Sequence, residues 1–577
     1  MDLLLDLAAA PGSTLRRRAE QALREAVLSG RLPPGARLPS TRALATQLGV
    51  SRGVVVEAYA QLAAEGYLLT RRGGGTTVAK AGAPAANRGT DDANGGADAR
   101  ISGAEVRFGG ADARIRGADD ALGGTDAAGG QADWSATGGW DGAVLGGERA
   151  GPAAIRHDLR PALPALAGFP RRAWLASLGR VLRELPDERF GYPDPAGVPE
   201  LRETLAAYLG RVRGVRTAPE LIVVTGGLRQ GLDLLWSSLA TVGVRRVAVE
   251  RPGWRGWVQT AAAAGLETIP LAVDGDGAVV DGLVHAGEGV AGGGGGASGL
   301  VGRGGARESR GAWTAVDAVG VTPAHQFPTG AVLSAARRSA LVAWAQRTGG
   351  IVVEDDYDAE FRYDRKPIGS LQGLAPDVVV YGGSASKTLA PAVRIGWLAL
   401  PPRLVGPVAS AQRRLGGAPA PLEQLALADL IARGELDRHL RRQRRAYRRQ
   451  RDALLSALAH ELPAVGVEGA AAGLHAVLRL PPGSDEQATI AAARARGVAL
   501  DGLGSGEPAL VVGYANLAAA AVPAAVTALA AAVREAAAGS TGGEAARPGA
   551  SGSGAAGGRA TAGAGDAATS RGRAGGR

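Results

Sequence analysis

The chain has 577 residues, of which 46% are hydrophobic and 90 are glycine, so we expect about two to four domains joined by glycine-rich linkers. It contains no cysteine and six scattered histidines, which excludes disulfides and a cysteine nucleophile and gives no metal-ligand spacing. No signal peptide and no run of about 20 apolar residues is seen, so we expect a cytoplasmic protein without a membrane partner, and the net charge of +10 permits a polyanionic partner.

Residues 1–80 predict a separate small domain. Apolar residues recur at helical spacing over residues 14–29, and Ser40 and Ser51 each stand before a short helical segment as N-caps. A tight Gly-Val turn separates these two segments. Two capped helices across such a turn are typical of a helix-turn-helix. Two short strands follow, and their basic connection predicts a hairpin.

The expected contacts with double-stranded DNA follow from this arrangement. The N-terminal end of the second capped helix enters a major groove, and the first turn of the helix before it offers free N–H groups to a phosphate. The hairpin tip reaches the DNA backbone or the minor groove. The residues expected to contact DNA are Ser40, Thr41, Arg42, Ser51, Arg52, Arg71 and Arg72. A small helical bundle with an exposed hairpin is the alternative that these patterns also allow.

GntR-type bacterial regulators have a winged helix-turn-helix that resembles LREAVLSGRLPPGARLPSTRALATQLGVSRGVVVEAYAQLAAEGYL, residues 23–68, over nearly its whole length. Val54 departs from that family, which usually has threonine there. The lost hydroxyl removes one possible phosphate contact and leaves the fold intact. The resemblance implies an operator-binding head.

Three segments have the composition of linkers or loops. Residues 81–156 are rich in Gly, Ala and Asp and predict a flexible tether. Residues 285–311 interrupt an otherwise ordered pattern and predict a disordered surface insertion. Residues 539–577 are rich in Gly, Ala and Ser and predict a disordered tail.

Residues 157–538 predict the larger domain, an α/β fold with a mostly parallel central sheet and a smaller C-terminal α+β subdomain. Strand-like apolar runs alternate with helical segments here, as in parallel α/β sheets. The run ending at Thr225 is followed by a glycine turn and a helix start, whose N–H groups at Gly226, Gly227 and Leu228 suit a phosphate. A later strand ends near Trp254, whose ring could stack on a planar cofactor or only pack.

Two further strand ends carry the chemistry. The apolar run from residue 350 ends in Asp355 and Tyr357, and a carboxylate there can pair with a protonated pyridine nitrogen. The apolar run over residues 378–381 is followed by small residues and then by Lys387, and Arg394 follows seven residues later. This arrangement is typical of a Schiff-base lysine with phosphate ligands beside it. Each feature alone also fits a solvated charge or plain packing. Their order along the chain favours pyridoxal 5′-phosphate.

The motifs GYPDPAGVPELRETLAAYL, VVTGGLRQGLDLL, ERPGW, VTPAHQFPTG, VVEDDYDAEFRY and SASKTLAPAVRIGW resemble the fold-type I, class I/II aminotransferases. More narrowly, the chain resembles the MocR (GabR-like) regulators, in which a GntR-type head is fused to such a domain. The resemblance implies Lys387 as the Schiff-base lysine, Asp355 on the pyridine nitrogen and Tyr357 on the phenolic oxygen. The other cofactor-binding residues that it implies are Gly227, Leu228, Trp254, His325, Ser384, Arg394 and Tyr192. Tyr192 would reach the neighbouring subunit, which implies a homodimer.

Two positions depart from the aminotransferase pattern. Phe327 stands where those enzymes have asparagine, with His325 and Gln326 just upstream as polar substitutes. Val511 stands where an arginine usually grips the substrate's α-carboxylate, and without that guanidinium an amino acid is oriented poorly. The resemblance therefore leaves efficient transaminase activity in doubt.

These observations predict a transcriptional regulator whose larger domain binds pyridoxal phosphate and senses the cofactor, an amine or an amino acid. The alternatives are a working aminotransferase that carries a DNA-binding head, and a DNA-binding protein whose second domain is vestigial. The arginine-rich helical run over residues 438–451 either contacts DNA or forms a solvated helix face.

Overall fold

The computed structural model describes residues 15–79 and 155–542, with gaps at 29–30, 34, 66, 72–74, 287–315, 364–367, 470 and 505. The predicted tether 81–156, insertion 285–311 and tail 539–577 therefore lie almost entirely outside the described residues. We call residues 15–79 the head and residues 155–542 the larger domain.

The head consists of three helices and a hairpin. These elements are α1 (Leu15–Leu28), α2 (Thr41–Leu48), α3 (Arg52–Ala64), β1 (Leu68–Arg71) and β2 (Gly75–Val78), the two strands being antiparallel. Gly49 ends α2 in the left-handed conformation at φ +63°, which glycine adopts without strain. Leu23, Leu44, Val55 and Leu62 are fully buried in one core. The predicted winged helix-turn-helix is confirmed.

The larger domain is built on an eight-stranded sheet. Its strands lie in the order β4-β11-β10-β9-β8-β5-β6-β7. The strands of the larger domain are β3 (His157–Asp158), β4 (Ile222–Thr225), β5 (Arg246–Arg251), β6 (Glu267–Asp274), β7 (Gly277–Ala278), β8 (Ala318–Val321), β9 (Ile351–Asp355), β10 (Val379–Ser384), β11 (Gly396–Ala399), β12 (Gly466–Glu468), β13 (His475–Arg479), β14 (Val498–Ala499), β15 (Asp501–Gly502) and β16 (Ala509–Gly513). Strands β10, β9, β8, β5 and β6 run parallel, whereas β11 and β7 are antiparallel to their neighbours.

Helices cover both faces of this sheet. The helices of the larger domain are α4 (Arg171–Glu184), α5 (Pro199–Arg213), α6 (Leu228–Thr241), α7 (Gly256–Ala263), α8 (Asp281–Ala286), α9 (Ala335–Thr348), α10 (Ala385–Thr388), α11 (Pro402–Arg414), α12 (Pro421–Ala432), α13 (Glu435–Glu461), α14 (Glu486–Ala495) and α15 (Val522–Gly542). One hydrophobic core lies under α6, α7 and α11, and a second lies under α8 and α9. The central strands are buried on both faces, which explains their uninterrupted apolar runs.

A smaller C-terminal part completes the fold. Strands β12, β13, β16 and β15 form an antiparallel sheet, and α14 and α15 pack beside it. Strand β3, at the start of the larger domain, pairs with β14, so the two ends of the domain meet in this subdomain. The predicted α/β fold with a mostly parallel sheet and an α+β subdomain is confirmed.

One apolar segment corrects the sequence analysis. Among the described residues, Ala519–Ala538 is long and apolar enough, by length and composition, to cross a membrane. The prediction that the chain has no such stretch was therefore wrong. Val526 and Leu529 are fully buried in the hydrophobic core of the larger domain, as one face of a soluble core helix would be. The same helix continues to Gly542, past the predicted domain end at 538.

Candidate cofactor and DNA-binding sites

The structure brings Asp355 and Lys387 to the same edge of the central sheet. Asp355 is the last residue of β9, and Lys387 lies in α10, which begins directly after β10. The two strands are parallel neighbours, with Gly382 opposite Asp355. Carboxyl ends of parallel strands form the usual ligand crevice of α/β sheets.

The charges of this pair are poorly solvated. Asp355 is 5% exposed, and its Oδ1 accepts no hydrogen bond within the described part of the chain. Burial raises the pKa of Asp355 well above its usual range, Asp356 and Asp358 raise it further, and Lys387 opposes them. Burial lowers the pKa of Lys387, against the effect of Asp355 and then Asp358. A buried acceptor without a donor fits a ligand N–H, and an amine with a lowered pKa fits a nucleophile.

A second group of residues surrounds the start of α6. Gly227, at φ +115°, precedes the first residue of the helix, Leu228, so backbone N–H groups at this end are open to an anion. A Cβ placed on Gly227 would lie 3.6 Å from Nη1 of Arg394, so the guanidinium stands directly over this turn. Strand register places Ser384 opposite Gly396, which is in turn opposite Thr225 at the end of β4.

A cavity of about 420 Å³ opens at this turn. Its lining residues are Gly226, Gln230, Arg394, Gly417, Ala418, Pro419 and Ala420. A helix N-terminus, a glycine backbone and one guanidinium together are the donor set that a phosphate prefers. The residues present therefore fit the phosphate of pyridoxal 5′-phosphate, as Asp355 fits its ring nitrogen.

Tyr357 and His325 form a polar cluster beside these groups. His325 Nδ1 lies 2.9 Å from Oη of Tyr357 and 3.0 Å from Oδ2 of Asp358. Burial raises the pKa of Tyr357 well above its usual range, and the carboxylates of Asp358 and Asp355 add to this effect. The rings of His325 and His475 have centroids 5.4 Å apart, and burial followed by the neighbouring His325 lowers the pKa of His475 to about 4.

Sequence reasoning missed Asp358 and His475. Asp358 could have been found, because it lies in the acidic motif that follows β9. His475 is an isolated histidine in a strand and gave no local signal.

Sequence reasoning also missed a buried ion pair under the acidic strand end. Arg213, at the end of α5, donates from Nε to Oδ2 of Asp356 at 2.5 Å, and both side chains are 2% exposed. Tyr381 donates its hydroxyl to the same oxygen at 2.7 Å. The residue after Asp355 is therefore fixed by partners from two other elements, which holds the end of β9 in place.

Trp254 and Tyr192 have different surroundings. Trp254 is half-buried before α7, packs against the core, and has its ring centroid 6.5 Å from that of Trp257. Tyr192 is fully exposed.

The position of Val511 is apolar in the structure. Val511 is fully buried on β16 and packs with Phe327, Val477 and Leu503. Phe327 in turn meets the ring of Tyr357 edge-on, with centroids 5.8 Å apart. No guanidinium replaces the usual carboxylate-binding arginine in this cluster of described residues.

In the head, the two serines act as helix caps. Ser40 Oγ accepts a hydrogen bond from the Ala43 amide at 3.2 Å, and Ser51 Oγ accepts one from Val54 at 3.4 Å. Arg42 and Arg52 are exposed in the first turns of α2 and α3, and Thr41 beside Arg42 is half-buried. Arg71 ends β1 opposite Gly75, and Arg72 lies outside the described residues.

Fold and site together define a DNA-binding head fused to an aminotransferase-type domain. The model of the bacterial regulatory proteins of the gntR family matches residues 15–78, and that of aminotransferase class I and II matches residues 169–286 and 317–529. The larger domain is similar to the solved multiple substrate aminotransferase of Thermococcus profundus, at 25% identity and a TM-score of 0.58. That match covers 67% of this chain and 92% of the other.

Relatives share the whole arrangement. The chain is 31% identical over 472 residues to the HTH-type pyridoxine biosynthesis transcriptional regulator PdxR of Corynebacterium glutamicum, covering 82% of this chain and 84% of that protein. It is 29% identical over 486 residues to the probable rhizopine catabolism regulatory protein MocR of Rhizobium meliloti, covering 84% and 85%. The chain therefore belongs to the MocR-type GntR family of transcriptional regulators.

Proposed function

We propose that this regulator binds pyridoxal 5′-phosphate in its larger domain and changes its hold on operator DNA when the cofactor, an amine or an amino acid occupies that site. The observation that carries the proposal is the buried Oδ1 of Asp355, which has no hydrogen-bond donor within the described residues and stands on the strand beside Lys387. An unpaired buried carboxylate is costly unless a ligand completes it.

Each candidate residue then has a definite task. Pyridoxal phosphate, when bound, supplies an aldehyde that condenses with amines and a ring that withdraws electrons. Lys387 provides the amine, and its lowered pKa favours the neutral, nucleophilic form. Asp355 holds the ring nitrogen and Tyr357 the phenolic oxygen. The residues that support the ring or phosphate are Gly227, Leu228, Trp254, His325, Ser384 and Arg394.

A homodimer belongs to the same proposal. Tyr192 is fully exposed within one chain, as a residue that reaches a neighbouring subunit would be. Since the partner of the head is chromosomal DNA, we place the protein in the cytoplasm.

Regulation requires that the effector favour one arrangement of the heads. A ligand with equal affinity for two arrangements changes nothing, however tightly it binds. The DNA contacts come from the exposed first turns of α2 and α3, which include Arg42 and Arg52, and from the hairpin arginines Arg71 and Arg72.

The test uses a favourable feature of the sequence, which has only the lysines Lys80, Lys366 and Lys387. Purified protein is incubated with pyridoxal phosphate, reduced with borohydride, digested and analysed by mass spectrometry. We expect the phosphopyridoxyl group on Lys387 and its loss in Lys387→Ala, with Lys366→Ala as the matched control that keeps it. A protein that carries no adduct, or carries it equally on all three lysines, would refute cofactor binding at this site.

The alternative function is an active aminotransferase. The burial of Val511 in an apolar cluster argues against it, because this position usually carries the arginine that binds the substrate's α-carboxylate. Mixing the loaded protein with amino donors in a stopped-flow spectrometer separates the two. Full conversion of the cofactor to its amine form within seconds would support the enzyme.

A further inference from the structure

The head docks on a short segment of the larger domain. Glu65 and Tyr67, between α3 and β1, are only 2% and 3% exposed. A Cβ placed on Gly369 would lie 3.3 Å from Cδ of Glu65, and one on Gly373 would lie 3.1 Å from Oη of Tyr67. Leu374 packs against the hydrophobic core of the head. We call residues 368–374 the relay segment.

The head carboxylate in this contact is fixed from its own side. Arg24, on α1, donates from Nη2 to Oε2 of Glu65 at 2.7 Å and to Oε1 at 3.0 Å. Gln61 donates from Nε2 to Oε1 at 2.6 Å. A carboxylate with this many donors keeps one position, so any displacement of Glu65 moves the helices of the head with it.

The opposite side of the relay segment is held by the residues that flank Asp355. Glu354 accepts hydrogen bonds from the amides of Leu371 and Gln372, both at 2.9 Å. Arg213, which holds Asp356, also donates from Nη1 to the Ile368 carbonyl at 2.6 Å. The segment is thus tied to the carboxylates on either side of the candidate pyridine partner.

One buried arginine joins the two sides. Arg338 is fully buried and donates from Nη2 to the carbonyl of Gly369 at 2.5 Å. Its Nε and Nη1 have no hydrogen-bond partner in the described parts of the chain. Burial lowers the pKa of Arg338, and the carboxylates of Glu354 and then Glu65, one from each domain, oppose this effect. A buried guanidinium with so few hydrogen bonds is sensitive to the charges around it.

We propose that the relay segment, held by Arg338 at the carbonyl of Gly369, is the surface through which the head of this chain responds to the cofactor site. This inference rests on the proposed function, since it needs a ligand at Asp355. A ligand N–H that pairs with Asp355 offsets negative charge in the row from Glu354 to Asp356. The hydrogen bonds from the relay amides to Glu354 then change in strength, and the head contact through Glu65 changes with them.

The experiment is amide hydrogen exchange of the full-length protein with and without pyridoxal phosphate. In the wild type, we expect the ligand to change exchange in the relay segment and at residues 65–68 of the head, by about tenfold, a size typical of allosteric coupling. Glu65→Gln keeps the shape of the side chain and removes its charge, so the response of the head should be lost while that of the relay segment remains. Glu57→Gln is the matched control, because Glu57 lies on α3, the helix that ends just before Glu65, and its side chain is 54% exposed.

The outcomes separate this inference from the proposed function. Retention of the full response at residues 65–68 in Glu65→Gln would overturn the inference. The inference would also be overturned if exchange at residues 65–68 of the wild type did not change with the ligand although borohydride traps the ligand on Lys387. This second result does not depend on how well the variant folds. If no ligand is trapped at all, the proposed function fails first and the inference fails with it.

Discussion

Replacing Arg213 with methionine tests how the acidic strand end is held. The guanidinium donates to Asp356 at 2.5 Å and to the Ile368 carbonyl at 2.6 Å, in a pair that is 2% exposed on both sides. After Arg213→Met, the side-chain carboxylate of Asp356 keeps a single hydrogen bond, from Tyr381. Loss of one partner of a buried pair costs about 3–5 kcal/mol, because the other charge stays buried and uncompensated.

The chain offers a matched control two residues earlier. Arg211 lies on the same helix and pairs with Asp437 at 3.0 Å, but it is 57% exposed, so Arg211→Met should cost about 0–1 kcal/mol. Adding Asp356→Asn to Arg213→Met should recover part of the loss, since no buried charge is then left unpaired.

Urea denaturation followed by tryptophan fluorescence measures these differences. None of the nine tryptophans lies in residues 1–80, so unfolding of the head does not contribute to the signal. Equal urea midpoints for Arg213→Met and Arg211→Met would refute the claim that the buried pair is the stronger one. The claim would also be refuted if Arg213→Met with Asp356→Asn were less stable than Arg213→Met alone by the full cost of a second lost interaction.

Two further predictions concern pH and DNA. Burial raises the pKa of Glu250 from 4.5 to about 7, against the opposing effect of hydrogen bonds from Thr322. Between these two pH values the folded protein therefore binds a proton that the unfolded chain releases. The free energy of unfolding consequently falls as the pH rises from 4.5 to about 7. Glu250→Gln should reduce the slope of stability against pH by up to about 1.4 kcal/mol per pH unit. Glu267→Gln, at an exposed position, should leave the slope unchanged. Urea midpoints measured across this pH range would contradict the prediction if both variants had the same slope as the wild type. Arg52→Ala should weaken operator binding several-fold and reduce the salt slope by about 1 without changing the adduct on Lys387, and unchanged binding in footprinting would mean that the recognition helix is placed wrongly.

Local signals predicted much of the fold. Ser40 and Ser51 cap their helices as their positions before helical segments indicated, and the apolar run over residues 351–355 is a buried strand that ends in Asp355. A strand followed by small residues and Lys387 also has the predicted local structure. These features depend on neighbours within a few residues, which is why the sequence reveals them.

Other features depend on contacts between distant residues. Arg213 and Asp356 are separated by 143 positions, and nothing near either residue indicates the pair. Strand β11 lies antiparallel between β4 and β10, but strands buried on both faces have the same apolar pattern in either direction. The docking of Glu65 on the relay segment joins two domains, so only the folded chain reveals it.

The length of α13 has a mechanical consequence. Its 27 residues span about 40 Å, and near its start His439 donates from Nε2 to the carbonyl of Thr388, the residue after Lys387. Its far end, at Leu454 and Leu458, is buried in the core that includes the C-terminal helix α15. A tilt of about 5° at the lysine turn would swing that end by about 3.5 Å over this length. The helix thus connects the turn that carries Lys387 to the core beside α15, so a small reorientation at one end would be transmitted to the other.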